Sequence, residues 1–223
     1  MAKLTWFGHA AFKIEIADKI VLIDPWLDGN PTSPTKSSEI TKADVIYVTH
    51  DHSDHLGDAF GICKRTNATF VSTVDIGAYA KENGVKNVAG INIGGSVDIN
   101  GVTITMVQAF HTSTRGAPTG VIVEGEGKRA YHAGDTGIFG DMRLIGELYK
   151  LDVAIVPIGG YYTMGAREAA EAVKLLNPKA VIPMHYKTFP VLAQSAEEFA
   201  KNVKEKTPKT RVVMLKPGES YQF

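Results

Sequence analysis

The chain has 223 residues, 44% of them apolar and 22% charged, the make-up of a globular protein with a real core. Lys plus Arg and Asp plus Glu both number 24, so net charge is zero, which argues against a dedicated nucleic-acid coat. One cysteine, Cys63, excludes an intrachain disulfide, and no apolar run reaches membrane-spanning length.

In chain order, LTWFG, AFKIEI and KIVLID read as strands, the second alternating and the third a buried run. A Pro/Ser/Thr-rich loop from Pro25 to Ser38 reads as surface. DVIYVTH is a buried strand ending on His50, and His55 to Arg65 has helical spacing. TFVST is a strand, and Val74 to Asn83 a helix stopped by Gly84. Short strands and a Gly-rich turn fill 88 to 101, and VTITMVQAF leads into His111. TGVIVEG and KRAYHAGD form a hairpin. Met142 to Lys150 is a short helix and DVAIVPI a buried strand. Ala166, Ala169, Ala170, Val173 and Leu176 share one face of a helix closed by Asn177-Pro178. KAVIPMH runs into His185, Ser195 to Lys206 is a helix capped by Ser195, and RVVML ends the sheet. No linker, low-complexity tract or clear repeat divides the chain, so residues 1–223 are expected to form one domain. Strands in two groups, each followed by helices, point to an α/β (α+β) fold of two sheets covered on their outer faces. Cys63 is expected in the core. The N-terminus, MAKLTWFGHAAFKIEI, has no long apolar stretch, so a cytoplasmic location is expected.

Strands repeatedly end on a histidine or an aspartate: His50, His111, Asp135 and His185. Gathered at one sheet edge, imidazole and carboxylate groups suit zinc, manganese or iron. The stretch VTHDHSDH places three of the seven histidines within six positions. His50 and His52, two apart on extended chain, point the same way. Asp54 and His55 follow a turn and address a second point, so four ligands from one loop suit two metals better than one. Each residue has a plainer reading when taken alone: Asp54 as a helix cap, His111 or His185 as a satisfied core histidine, Asp135 as a turn residue. Their joint occurrence is what argues for a metal site.

His50-x-His52-x-Asp54-His55, with His111, Asp135 and His185, resembles the ligand series of the metallo-β-lactamase superfamily over most of the chain. WFGHAAF, AGDTGIFGDM, VPIGGYYTMG and IPMHYKTFP resemble the UPF0173 metal-dependent hydrolases, relatives of the L-ascorbate-6-phosphate lactonases. The resemblance implies a four-layer αββα sandwich with the site at one edge. It also implies two divalent cations, zinc or manganese first, with iron and nickel as alternatives. His50, His52 and His111 would hold one, Asp54, His55 and His185 the other, and Asp135 would bridge them. A hydroxide between the metals would attack a carbonyl carbon or a phosphorus, and Asp54 would help orient it.

Other roles follow from position. His9, in Gly8-His9-Ala10, is a candidate proton donor to the leaving group or a structural histidine beside the site. His132 reads as a packed residue. Tyr161, Tyr162 and Thr163 follow two glycines at a strand end, so Tyr162 is a catalytic candidate and Thr163 a substrate contact. Lys187 and Arg115 would favour an anionic substrate if they face it, and otherwise are solvated charges. Many relatives carry Asn at the place of Lys187, so the substrate itself is not carried over.

The expected function is hydrolysis of a small anionic ester, lactone or phosphodiester. Homo-oligomers are expected only by analogy. A nuclease is the alternative; superfamily nucleases usually add a substrate-gripping domain that 223 residues leave no room for. Diiron oxygen reductases of this fold carry Glu at the place of His52. The antibiotic-destroying enzymes carry Cys or Ser where Asp135 stands. A non-catalytic binding module fits poorly with a complete ligand set.

Overall fold

A computed structural model describes all 223 residues. Strands β1 (Lys3–Trp6), β2 (Phe12–Ile16) and β3 (Lys19–Ile23) form an antiparallel meander. β2 is FKIEI, whose apolar residues alternate toward the interior at period two. Strands β4 (Val45–Tyr47), β5 (Thr69–Thr73) and β6 (Val88–Ile91) add in parallel. Helices α1 (Ser53–Leu56) and α2 (Ala59–Thr66) make one crossover and α3 (Val74–Glu82) the next.

The second sheet repeats the plan. Strands β7 (Ser96–Ile99), β8 (Val102–Gln108), β9 (Thr119–Gly125) and β10 (Lys128–His132) are antiparallel. β11 (Val153–Pro157), β12 (Ala180–Met184) and β13 (Arg211–Val212) follow in parallel. Helices α4 (Met142–Tyr149), α5 (Ala166–Leu176) and α6 (Glu197–Lys206) lie between them. The last strand, β14 (Ser220–Gln222), crosses back to pair with β1. The sheet orders are β14-β1-β2-β3-β4-β5-β6 and β13-β12-β11-β10-β9-β8-β7. From β1 to β6 and from β8 to β13 the succession of pairings is the same, two antiparallel and then three parallel. The repeat is in topology, carried by different residues, which is why the sequence does not display it.

Burial explains the layering. Val45 and Tyr47 of β4 face the second sheet and join the large core with Val121 and Val123. Ile46 and Val48 point the other way and pack with Ile62, Cys63, Ile76 and Ala80 beneath α2 and α3. A strand covered on both faces reads as an unbroken apolar run, as β4, β11 and β12 do. Gly146 of α4 lies so close to the end of α5 that a Cβ there would meet the Leu176 carbonyl. The four layers are therefore helix, sheet, sheet, helix. No helix is long and apolar enough to cross a membrane.

Four expectations are corrected. His55 to Arg65 is two helices, broken at Gly57 (φ 41°, ψ −120°). The Pro25 to Ser38 loop folds partly inward, burying Leu27 and Asn30. RVVML ends its own sheet, but the chain goes on to complete the other one with β14. At α6, Ala196 occupies the cap, while Ser195 Oγ accepts from the Glu197 N–H at 3.1 Å.

Candidate metal centre

Six of the seven histidines converge at one edge of the two sheets, five delivered by the segment that follows a strand and His55 by α1. His9 lies in the turn between β1 and β2, His50 just after β4, His111 after β8 and His185 after β12. Asp135 follows β10, where Gly134 (φ 62°) presses against the Thr119 carbonyl and the Thr49 side chain. The edge is stitched by bonds between the sheets. The Thr119 N–H donates to the Thr49 carbonyl at 3.0 Å and the His185 N–H to the His9 carbonyl at 3.2 Å. His9 (φ 52°), Asp24 (φ 47°) and His185 (φ 57°) all adopt the left-handed conformation. Such strain in non-glycine residues concentrates at functional sites.

Asp135 is the hub. Its Oδ2 lies 3.0 Å from His185 Nε2, 3.3 Å from His55 Nε2 and 3.6 Å from His111 Nε2. Ligand atoms of His50, His52 and His111 form one group within 4.8 Å, and those of His9, Asp54, His55 and His185 form another. His50 Nε2 and His52 Nδ1 face each other at 3.0 Å. His55 Nε2 and Asp135 Oδ1 are buried without a hydrogen-bond partner. Donors left unpaired around a common point, all nitrogen or carboxylate oxygen, fit divalent zinc, manganese or iron.

Electrostatics agree. Burial lowers His50 from 6.5 to about 2, with the neighbouring His55 adding to the shift. Burial lowers His9 to about 4, against the opposing hydrogen bond to Asp54. Burial would raise Asp54, but the His9 hydrogen bond and the charge of His55 hold it below its ordinary value. For Asp135 the burial penalty is likewise overcome, by His55 and His185. His55 is the converse. Burial disfavours its charge, yet Asp135 and Asp24 on either side raise it well above 6.5. The site therefore offers ionised carboxylates and a neutral His50, the forms that ligate metal, while His55 would release a proton when metal binds.

The cavity above has a volume of about 510 Å³ and is lined by His52, Ser53, Asp54, His111, Thr112, Asp135, Tyr162, His185 and Phe189. Tyr162 is on its wall. His9 is not. It is fully buried behind Asp54, with Nε2 3.1 Å from Asp54 Oδ2 and Nδ1 2.8 Å from Thr188 Oγ1. A leaving group cannot reach it there, so it positions Asp54. Arg115 and Lys187 do not reach the wall either. Arg115 pairs with Asp51 at 3.1 Å and lies over the Tyr79 ring at 3.9 Å. Lys187 is exposed, in a left-handed turn. Thr163 spends its hydroxyl on the Met164 carbonyl at 3.4 Å and lies outside the lining. His132 is structural: Nε2 contacts the Ala10 carbonyl and Nδ1 accepts from the Gly134 N–H. Asp51 accepts from Ser113 Oγ and the Thr114 N–H, tying the loop of His111 to the loop of His50.

Sequence reasoning overlooked Asp24, Thr49, Thr188, Thr112 and Phe189. Asp24 ends KIVLID, so the strand-end pattern that marked His50 was present for it too. Its Oδ2 is 2.7 Å from both His55 Nδ1 and Thr49 Oγ1, and Thr49 Oγ1 is 2.9 Å from His50 Nδ1. No comparable signal marks Thr188.

Comparison with known proteins gives the family. A model of the beta-lactamase superfamily domain matches residues 19–186, from β3 through His185. A UPF0173 metal-dependent hydrolase of Caldivirga maquilingensis is 52% identical over 221 residues, covering 98% of this chain and 97% of its own. The chain belongs to the UPF0173 metal-dependent hydrolases of the metallo-β-lactamase superfamily. This hydrolase is also 50% identical to the UPF0173 metal-dependent hydrolase of Methanopyrus kandleri, with 99% of each chain covered. Igni18, a metallo hydrolase from Ignicoccus hospitalis, superposes with a TM-score of 0.92 at 42% identity, covering 100% of this chain and 99% of that one. The sandwich and the family expected from the ligand motifs are thus both present, and the protein is a metal-dependent hydrolase.

Proposed function

We propose that this hydrolase cleaves a small ester, lactone or phosphodiester at a centre of two divalent ions. His50, His52 and His111 would hold one ion, Asp54, His55 and His185 the other, and Asp135 both. The observation that carries this reading is the place of Asp135, buried in the cavity lining, with histidines of both groups within 3.6 Å of its Oδ2. Ions bound there supply Lewis-acid chemistry, making water nucleophilic near neutral pH and withdrawing charge from the scissile group.

The protein's own residues do the rest. The Asp24 carboxylate takes the Nδ1 proton of His55 in a hydrogen bond and, through Thr49, orients His50, so both rings present Nε2 inward. His9 keeps Asp54 ionised and directed at the cavity, where it can accept a proton from the attacking water. Tyr162 brings a hydroxyl to the wall for the leaving group. No lysine or arginine lines the cavity, so any negative charge on the substrate would be met by the ions alone. The same lack speaks against the nuclease reading, which needs cations to follow a phosphate backbone.

The test is hydrolysis of bis(4-nitrophenyl) phosphate and of a sugar lactone by zinc- or manganese-loaded protein, beside a chelator-treated control. Metal-dependent turnover of at least one, with two equivalents bound, is expected. Asp135→Ala should lose one equivalent and nearly all the rate. Full metal content with an undiminished rate in that variant would sink the bridging role. Bound metal without turnover of any ester, lactone or phosphodiester would sink the reaction.

A further inference from the structure

The cavity wall has a second character that the metal chemistry does not use. Phe189 forms one side, half-buried, stacked on Trp26 with centroids 6.0 Å apart and edge-on to His9 at 5.5 Å. Those contacts hold the ring in place. Tyr162 contributes a second aromatic surface, 53% exposed, with its ring edge-on to Tyr161 at 4.8 Å. Outside the lining, Phe110 and Ile138 stand exposed on the loops that deliver His111 and Asp135. These loops hold together: the Gly137 N–H donates to the Phe110 carbonyl, and the Phe110 and Phe139 rings lie 5.1 Å apart. Two exposed apolar side chains thus sit on segments that carry metal ligands, in addition to the aromatic rings of the wall. The nearest cations are turned elsewhere, Arg115 to Asp51 and Lys187 outside the lining.

Apart from the metal ligands and these two rings, the rest of the lining is the uncharged hydroxyls of Ser53 and Thr112, so shape and apolar area are recognised at the aromatic wall. We infer that the non-reacting part of the substrate is an uncharged, flat apolar group, an aryl ring, held against Phe189 and Tyr162. This rests on the proposed site and names its substrate class: esters or phosphodiesters of aromatic alcohols, or aryl-bearing lactones, in place of sugar phosphates. An aryl ring meets Phe189 and Tyr162 offset or edge-on, geometries that add to simple area burial. A second charged group on the substrate would be desolvated against these rings without a partner.

The experiment is calorimetric binding of phenylphosphonate and methylphosphonate to the metal-loaded protein, two ligands with the same anionic head. Phenylphosphonate is expected to bind at least about tenfold more tightly. In Phe189→Ala and Tyr162→Ala the ratio of the two affinities should shrink to about threefold or less with metal content retained, and Tyr162→Phe, which removes the hydroxyl alone, should keep the ratio. Tyr162 is exposed enough that its variants keep the fold even if the Phe189 variant does not. Equal affinities in the native protein, undetectable phenylphosphonate binding, or a preference untouched in both alanine variants would overturn the inference. Turnover is measured separately. A phenyl preference without any hydrolysis would defeat the reaction and leave the aryl pocket standing, and hydrolysis with equal affinities would do the reverse.

Discussion

Asp24 lies outside the cavity lining, yet it orients two buried rings of the metal centre, His50 and His55. Its carboxylate accepts from the Thr49 N–H at 2.8 Å and the Thr49 hydroxyl at 2.7 Å, and from His55 Nδ1. Because Thr49 gives its proton to Asp24, its oxygen is left to accept from His50 Nδ1. One carboxylate thereby sets two tautomers. Asp24→Asn keeps the shape but puts a donor where an acceptor is needed. Metal affinity should fall about tenfold to a hundredfold, read by competition with a chromogenic chelator. Unchanged affinity would mean the rings orient themselves. Cys63 is the contrasting case. It is 2% exposed in the core beneath α2, and burial pushes its thiol up to about 12. Cys63→Ser should retain activity, and the native thiol should resist alkylation at neutral pH; loss of activity in a folded variant would contradict that placement.

The break between α1 and α2 shows how an element is shaped from a distance. Helical spacing runs on from His55, and nothing local except Gly57 interrupts it. The interruption comes from the segment at 25–28. The Asp58 N–H donates to the Pro25 carbonyl, and Asp58 Oδ2 accepts from the Leu27 N–H. Trp26 packs so closely that a Cβ at Gly57 would stand 2.5 Å from its Cα. The turn ends α1 early and leaves Asp54 and His55 aimed at the centre. Gly57→Ala combines that clash with a backbone angle other residues avoid. A loss of about 2 kcal/mol or more in urea unfolding is expected, with weaker metal binding, and a wild-type unfolding curve would refute it.

At the scale of the molecule, the metal-free protein carries a store of buried neutral histidines. His9 at about 4 and His50 at about 2 both lie below the ordinary 6.5, with burial the first cause in each; burial lowers His132 as well. An unfolded chain takes up those protons as pH falls through about 6.5, while the folded chain does not. The stability of metal-free protein should therefore decline as pH falls from 6.5 toward His9's value of about 4. His55 does not compensate. Its raised value contributes stability that is complete below 6.5 and is lost only as pH rises through its folded value. Asp54 and Asp135 begin to lose their contribution only as pH falls through their ordinary 3.8. Urea midpoints of chelator-treated protein between about pH 7 and pH 4.5 test this, and a flat profile would contradict it.

Much of this protein follows from local residue order. Periodicity set the strands of both sheets and most helices, because a strand such as FKIEI or a helix face such as that of α5 buries its apolar side whatever its neighbours are. The ligand residues from His50 to His185 stand out because strand ends bearing His or Asp have little structural reason to recur. What tertiary structure alone decided is what lies behind and beside them. Thr188 meets His9 across 179 residues of chain, Asp24 meets His55 across 31, and β14 meets β1 across the whole length. The same packing drew Arg115 to Asp51 and left Lys187 and Thr163 outside the cavity wall. Local order fixes which groups a segment can offer, and only the packing of distant segments fixes which partner each group finds and therefore what it can do.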